Sequence, residues 1–198
     1  MSAYKKLPEI LTLGERTALL KQPNKRAPTG LRNLCMIRVM LDCGLRCCEI
    51  IKLQPRHIDW MSGKLTVKEG KGKKDRIVWL NEDVLELLQI HRVRRPEAVQ
   101  LFSTLDSKPL NSRYIRTMVK RLAVKAGIDK DIHPHTLRHT FATDLYRQTK
   151  NIRLVQKALG HSNLSTTMIY THIVDDELES ALKGFRTNGS TYSSYLPA

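Results

Sequence analysis

Apolar residues along this chain recur at two different periods, and the change of period marks out the elements. Thr12 and Glu15 form a capping box, and with Leu13, Leu19 and Leu20 behind them the spacing predicts a short helix to about Lys21. Residues 23–28 are basic and rich in breakers, a connection. Thr29 is the predicted cap of a longer helix in which Leu31, Leu34, Ile37 and Leu41 recur every three or four residues until Gly44. Residues 45–53 predict a further helix, closed by Pro55. The texture then changes. Residues 57–60, 64–67 and 74–80 read as three short strands, separated by Ser62-Gly63 and by Gly70-Lys71-Gly72. Helical spacing resumes after Asn81 (Val84, Leu87, Leu88, His91) and after Asn111 (Ile115, Val119, Leu122, ending at Gly127). Pro134 suits the first turn of a helix running to Arg147, and Asn151 caps one from Ile152 to Leu159. A short helical stretch is expected over 162–170 and a last amphipathic helix over 174–183. The predicted fold class is mainly α with a small three-stranded antiparallel β-sheet, an α+β arrangement.

Composition narrows the class. A length of 198 residues suits one domain, and 41% hydrophobic with 27% charged residues excludes wholesale disorder. Arg32, Arg38, Asp42 and Arg46 interrupt the most apolar region, so no run approaches the ~18 residues of a membrane span. The first nine residues carry no signal-peptide pattern, and a soluble, cytoplasmic chain without membrane association is expected. Lys plus Arg number 34 against 19 Asp plus Glu, a net charge of +15. The excess lies upstream of Asn151: residues 1–150 hold 30 basic against 15 acidic side chains, and the remainder 4 against 4. A basic body with an acidic knot at Asp175, Asp176, Glu177 and Glu179 points to a polyanion partner and a separate task for the C-terminal segment. The cysteines (Cys35, Cys43, Cys47, Cys48) lack zinc-ligand spacing and read as reduced thiols.

Three clusters could carry chemistry. The Gly70-Lys71-Gly72 turn would project Lys71 from a basic hairpin, as a reactive lysine or as plain grip on a phosphate backbone. His133-Pro-His135-Thr-Leu-Arg138-His139 sets His135 and Arg138 on one helix face, a proton carrier beside a guanidinium fork, which suits a phosphate oxyanion. His135 and His139 have the spacing of a helical zinc pair, but Arg138 would repel the cation and no metal is expected. Finally, Leu159-Gly160-His161 precedes Tyr170, which is either a core tyrosine or a nucleophile that needs cations around it.

Together Gly44-Leu45-Arg46 with Glu49, Gly70-Lys71-Gly72, His135-Thr-Leu-Arg138-His139, Leu159-Gly160-His161 and Ile169-Tyr170 resemble the tyrosine recombinases, that is, phage integrases and Xer-type resolvases. Order and intervals match over about residues 7–185. The resemblance implies a metal-free, cofactor-free phosphoryl transfer in which Tyr170 attacks a DNA phosphate and forms a 3′-phosphotyrosyl bond. It implies that Arg46 and Arg138 clamp the phosphate, Lys71 protonates the leaving hydroxyl, His135 assists proton transfer and His161 hydrogen-bonds the phosphate. Glu49 and His139 stand as supporting residues. Lys64, Lys68, Lys73, Lys74 and Arg76 of the hairpin, with Arg113, Arg116 and Lys120, are expected to hold flanking DNA backbone. Tyr192 and Tyr195 are rival tyrosines with no histidine beside them.

The expected partners are double-stranded DNA bearing a recombination site and further copies of the chain, as a tetramer joined through helix 174–183. Residues 1–185 are expected to be the catalytic domain and 186–198 a flexible tail. The N-terminal core-binding domain of most relatives is expected to be absent, because about 45 residues precede Arg46. A type IB topoisomerase would share the chemistry, though not as a rule the close spacing of His161 and Tyr170. A DNA-binding module without catalysis would show a gap among the six positions, and none is seen.

Overall fold

The structure, a computed structural model, describes residues 7–68, 75–171, 173–174 and 182. Helix α1 (Leu13–Leu20) starts at the predicted capping box, with Thr12 Oγ1 accepting from the Glu15 amide and the Glu15 carboxylate from the Thr12 amide. Helix α2 (Pro28–Cys43) begins ahead of the predicted cap. Ala27 is its N-cap and Thr29 lies inside, because Pro28 has the φ of a first helical residue and no N–H to leave unpaired. Gly30 is required there: a Cβ would stand 2.0 Å from the Asn24 carbonyl oxygen. Helix α3 (Cys47–Lys52) is N-capped by Arg46, whose amide donates to Glu49.

Among the described residues the sheet has two strands where three were predicted. Strands β1 (Lys64–Val67) and β2 (Arg76–Trp79) pair antiparallel, Leu65 opposite Val78 and Val67 opposite Arg76. Residues 57–60 contribute one bridge, Ile58 to Leu65. A 3₁₀ turn at Pro55–His57 explains this, since it closes on itself through bonds from His57 to Gln54 and from Ile58 to Pro55. Helices α4 (Glu82–Val93), α5 (Ser112–Lys125) and α7 (Ile152–Leu159) are N-capped by Asn81, Asn111 and the predicted Asn151. Helix α6 (Pro134–Thr149) starts at Pro134 and runs two residues past the predicted end. The stretch 162–170 forms a 3₁₀ turn at Leu164–Thr166, and helix resumes at 169–171.

Helix α2 is the central strut, buried along most of its length and packed on α1, α4 and α6. The main core gathers its apolar side chains with those of α3, the sheet, α4 and α5. A second, smaller core lies between α6, α7 and the segment after it: Ala142, Val155, Leu159, Tyr170 and Ile173. Gly44 joins the two. Its φ is +64°, and a Cβ would meet Phe141 Cδ1 at 2.4 Å, so only glycine lets the end of α2 close against α6. Among the described residues no helix is long and apolar enough to cross a membrane.

Candidate active site

The end of α2, the start of α3, β2, α6 and the end of α7 converge on the carboxylate of Glu49. Arg76 donates two hydrogen bonds to it at 2.8 Å, both side chains being 5% exposed. Arg46 Nη1 donates to Glu49 Oε1 at 2.9 Å, and Arg138 Nη1 lies 4.0 Å from Oε2. Burial pushes the Glu49 carboxyl up, but the hydrogen bonds and charge of Arg76, then the Arg46 amide and Arg138, outweigh it and hold it at about 2.

Arg138 is equally confined. Its guanidinium donates to the Gly44 carbonyl and, at 2.7 Å, to that of Leu159. These are carbonyls at the ends of α2 and α7, where the helix dipoles favour a cation. Burial, then the charge of Arg46, brings its pKa down to about 10, so it stays protonated at neutral pH. Arg76 Nε donates to the Ala158 carbonyl at 2.8 Å, which fixes the same helix end. Glu49 thus holds together two cations from the predicted phosphate clamp and one that braces it.

His161, past the end of α7, lies 3.2 Å from Arg138 Nη2 through Nε2 and 3.0 Å from Thr167 Oγ1 through Nδ1. Because the guanidinium can only donate, Nε2 accepts and the ring proton sits on Nδ1. Burial, then the charges of Arg138, Arg46 and Arg76, lowers this histidine to about 4, so its ring is neutral. His135 occupies the exposed face of α6, one turn before Arg138, and is lowered by burial and then by His133 and the arginines. Tyr170 is 1% exposed, and its hydroxyl meets His139 Nδ1 at 3.0 Å. Burial raises Tyr170 to about 12 against the pull of Arg138 and Arg46.

Arg46, Arg138 and His161 are therefore brought to one corner with Glu49, while His135 is nearby on α6 and Tyr170 is turned into the second core. Lys71, Lys73 and Lys74 lie outside the described residues, as do Tyr192, Tyr195 and most of the 174–183 segment. Lys64, Lys68, Arg113, Arg116 and Lys120 are exposed. Lys68 pairs with Asp75 and Lys120 with Asp131, and the charge of Arg116 reaches both Cys47 and His135. Arg76 departs from expectation. It is buried and committed to Glu49 and Ala158, not presented to a backbone, because it shares the inward face of β2 with Val78. That signal was in the sequence: period-2 alternation sets residues 76 and 78 on one face. Among the described residues no cluster of histidine, cysteine and carboxylate is arranged for a metal, and the four cysteines are free thiols.

Comparison with known proteins identifies the family. The model of the phage integrase family matches residues 9–177, and the chain belongs to that family, as a tyrosine recombinase catalytic domain. It is 37% identical to "Tyrosine recombinase XerD" of Staphylococcus saprophyticus, over 91% of this chain and 63% of the relative, with the same figures for that of Staphylococcus aureus. The chain thus spans under two thirds of the length of these curated relatives. The crystal structure of XerA recombinase superposes with a TM-score of 0.80 at 30% identity, over 94% of this chain and 66% of that one. XerH site-specific recombinase, bound to palindromic difH substrate in a post-cleavage complex, superposes with a TM-score of 0.80 at 33% identity, over 94% of this chain and 56% of that one.

Proposed function

We propose that the chain cuts and rejoins double-stranded DNA at a specific site through a covalent 3′-phosphotyrosyl intermediate, without a metal ion. The observation that carries this reading is the prepared corner in which Arg46 and Arg138 flank Glu49, His161 abuts Arg138, and Tyr170 lies inside the range of both arginine charges. In the resting chain this corner holds two fixed cations beside a neutral His161, an arrangement that can stabilise charge developing in a transition state.

Arg46 and Arg138 would take the two non-bridging oxygens of the scissile phosphate. The Tyr170 oxygen attacks phosphorus, a P–O bond to tyrosine forms, and the bond to the 5′ oxygen of the next nucleotide breaks. The phenol proton leaves through His135, and Lys71 supplies a proton to the departing 5′ oxygen. A phosphate in the corner would also raise the pKa of His161 by offsetting the arginine charge, making Nε2 a donor to it. Attack by a second strand's 5′ hydroxyl on the phosphotyrosine reverses the sequence and reseals the DNA. The exposed Lys64, Lys68, Arg113, Arg116 and Lys120, with Lys73 and Lys74, would supply backbone grip, which weakens steeply with salt. Exchange of strands would require several copies on one DNA, and the apolar face of the 174–183 segment would supply the joint of a tetramer.

A nicked suicide duplex carrying a site selected on the protein tests the chemistry. A covalent protein–DNA adduct is expected that survives EDTA and is abolished by Tyr170→Phe. An adduct that persists in Tyr170→Phe, or vanishes with EDTA, overturns the reading.

A further inference from the structure

Tyr170 is the bulkiest of the described side chains that are almost fully hidden, at 1% exposure. It is enclosed by Ala142, Val155, Leu159 and Ile173, with Leu7 and Ile10 packed against the same cluster. A phenol so enclosed cannot reach a phosphate on a duplex, so the residue must leave this pocket before it reacts. What its hydroxyl meets inside is His139 Nδ1, 3.0 Å away, with ring centroids 5.8 Å apart and planes tilted by 49°. His139 lies on α6 directly after Arg138 and takes part in none of the chemical steps proposed above.

We propose that His139 is a positioning residue that latches Tyr170, protonated, in its buried resting place, and that engagement of DNA breaks this hydrogen bond to release the tyrosine. The proposal rests on the reading of Tyr170 as the nucleophile. The charge states of the pair follow from the surroundings. Burial, then His135, Arg138 and His133, holds His139 at about 4, while burial holds Tyr170 at about 12. At neutral pH the imidazole is therefore uncharged and the phenol keeps its proton; the latch uses the tautomer with its proton on Nε2, to whose Nδ1 the phenol O–H donates.

The latch is also built to open. His139 lines a solvent-open cavity of about 370 Å³ with Leu7, Pro8, Glu9, Asp131, His133 and Thr136, a cavity that Tyr170 does not line. When the tyrosine departs, water can reach the imidazole, so the acceptor is not left orphaned. The phenol is different: buried without His139 it has lost its partner, and the open state gains by comparison.

The test reads Tyr170 without DNA. Hydroxyl-radical footprinting of the full chain, with Tyr114 and Tyr146 as half-buried internal references, compares wild type, His139→Phe and His139→Asn. Tyr170 should be the slowest of the three in wild type. It should be oxidised roughly tenfold faster in His139→Phe, as expected for a buried hydroxyl left unpaired, and near the wild-type rate in His139→Asn, which restores an acceptor. The references should not move. On the suicide duplex, His139→Phe should form adduct faster in a single turnover with unchanged duplex affinity. Equal Tyr170 oxidation in wild type and His139→Phe overturns the latch, as does acceleration of all three tyrosines together or slower adduct formation in His139→Phe. Loss of the nucleophile reading would show separately, as an adduct that persists in Tyr170→Phe while the DNA-free oxidation rates stay as expected.

Discussion

Arg138 and Tyr170 are almost equally hidden from solvent, at 4% and 1% exposure, but they are hidden by different means. Arg138 sits in a lattice of charged contacts: two helix-end carbonyls, His161, and Glu49 with its own ties to Arg46 and Arg76. Tyr170 sits in a small apolar core with one neutral hydrogen bond at its tip. The first arrangement resists displacement, because moving Arg76 or Arg138 strips hydrogen bonds or charge from the buried Glu49 carboxylate and from the helix-end carbonyls. The second can be undone at modest cost. On the proposed function the site must present fixed charge to a phosphate and then deliver a nucleophile, which calls for both, and the two occupy adjoining parts of the molecule.

The contrast can be broken at either end. Tyr170→Phe has the largest expected effect on chemistry, complete loss of the covalent adduct on denaturing gels. Its stability should change by only about 1 kcal/mol in urea unfolding, the net worth of one neutral hydrogen bond. Arg76→Met should do the reverse. It touches no DNA in this reading, yet removing one partner of a buried pair should cost about 3–5 kcal/mol by the same measurement. Gly44→Ala, which forces a side chain at φ +64° into Phe141, should cost about 2–4 kcal/mol through strain and overpacking combined.

Acid sharpens the comparison further. The Glu49 carboxyl sits near 2 in the folded chain against an ordinary 4.5. Its contribution to stability is therefore fully present above the ordinary value and is lost as the pH falls toward 2. Thermal melts of Glu49→Gln should depend less on pH across that interval than those of wild type. The smallest effect is expected at the rim. Lys120→Ala breaks an exposed pair with Asp131 and should alter stability by less than about 1 kcal/mol. In DNA titrations it should lower the slope of affinity against salt by about one ion.

Much of the scaffold was legible before any coordinates. The caps at Thr12 and Asn151 and the first-turn Pro134 announced helix starts through local hydrogen bonding, which depends on a few neighbouring residues. Where prediction slipped, a competing nearby residue or pattern had won. Thr29 has the chemistry of a cap, but Pro28 set the helix start. Residues 57–60 have strand composition, but the turn at Pro55–His57 used their backbone, leaving one bridge. Arg76 was grouped with the hairpin cations by charge, although its alternation with Val78 already placed it indoors.

Motif order alone determined which residues belong to the candidate site, because a pattern such as Gly44-Leu45-Arg46 or His135-Thr-Leu-Arg138-His139 is a local string. Which of these residues touch was decided only by the fold. Glu49 and Arg76 are 27 positions apart, and Arg138 and Gly44 are 94 apart. The sequence shows His139 as a neighbour of Arg138, but nothing in a one-dimensional string reports that its ring reaches Tyr170, 31 residues on. Short-range chemistry is written in the sequence residue by residue. Burial, and the pKa values and pairings that burial sets, exist only once distant segments have closed around a group and removed its water.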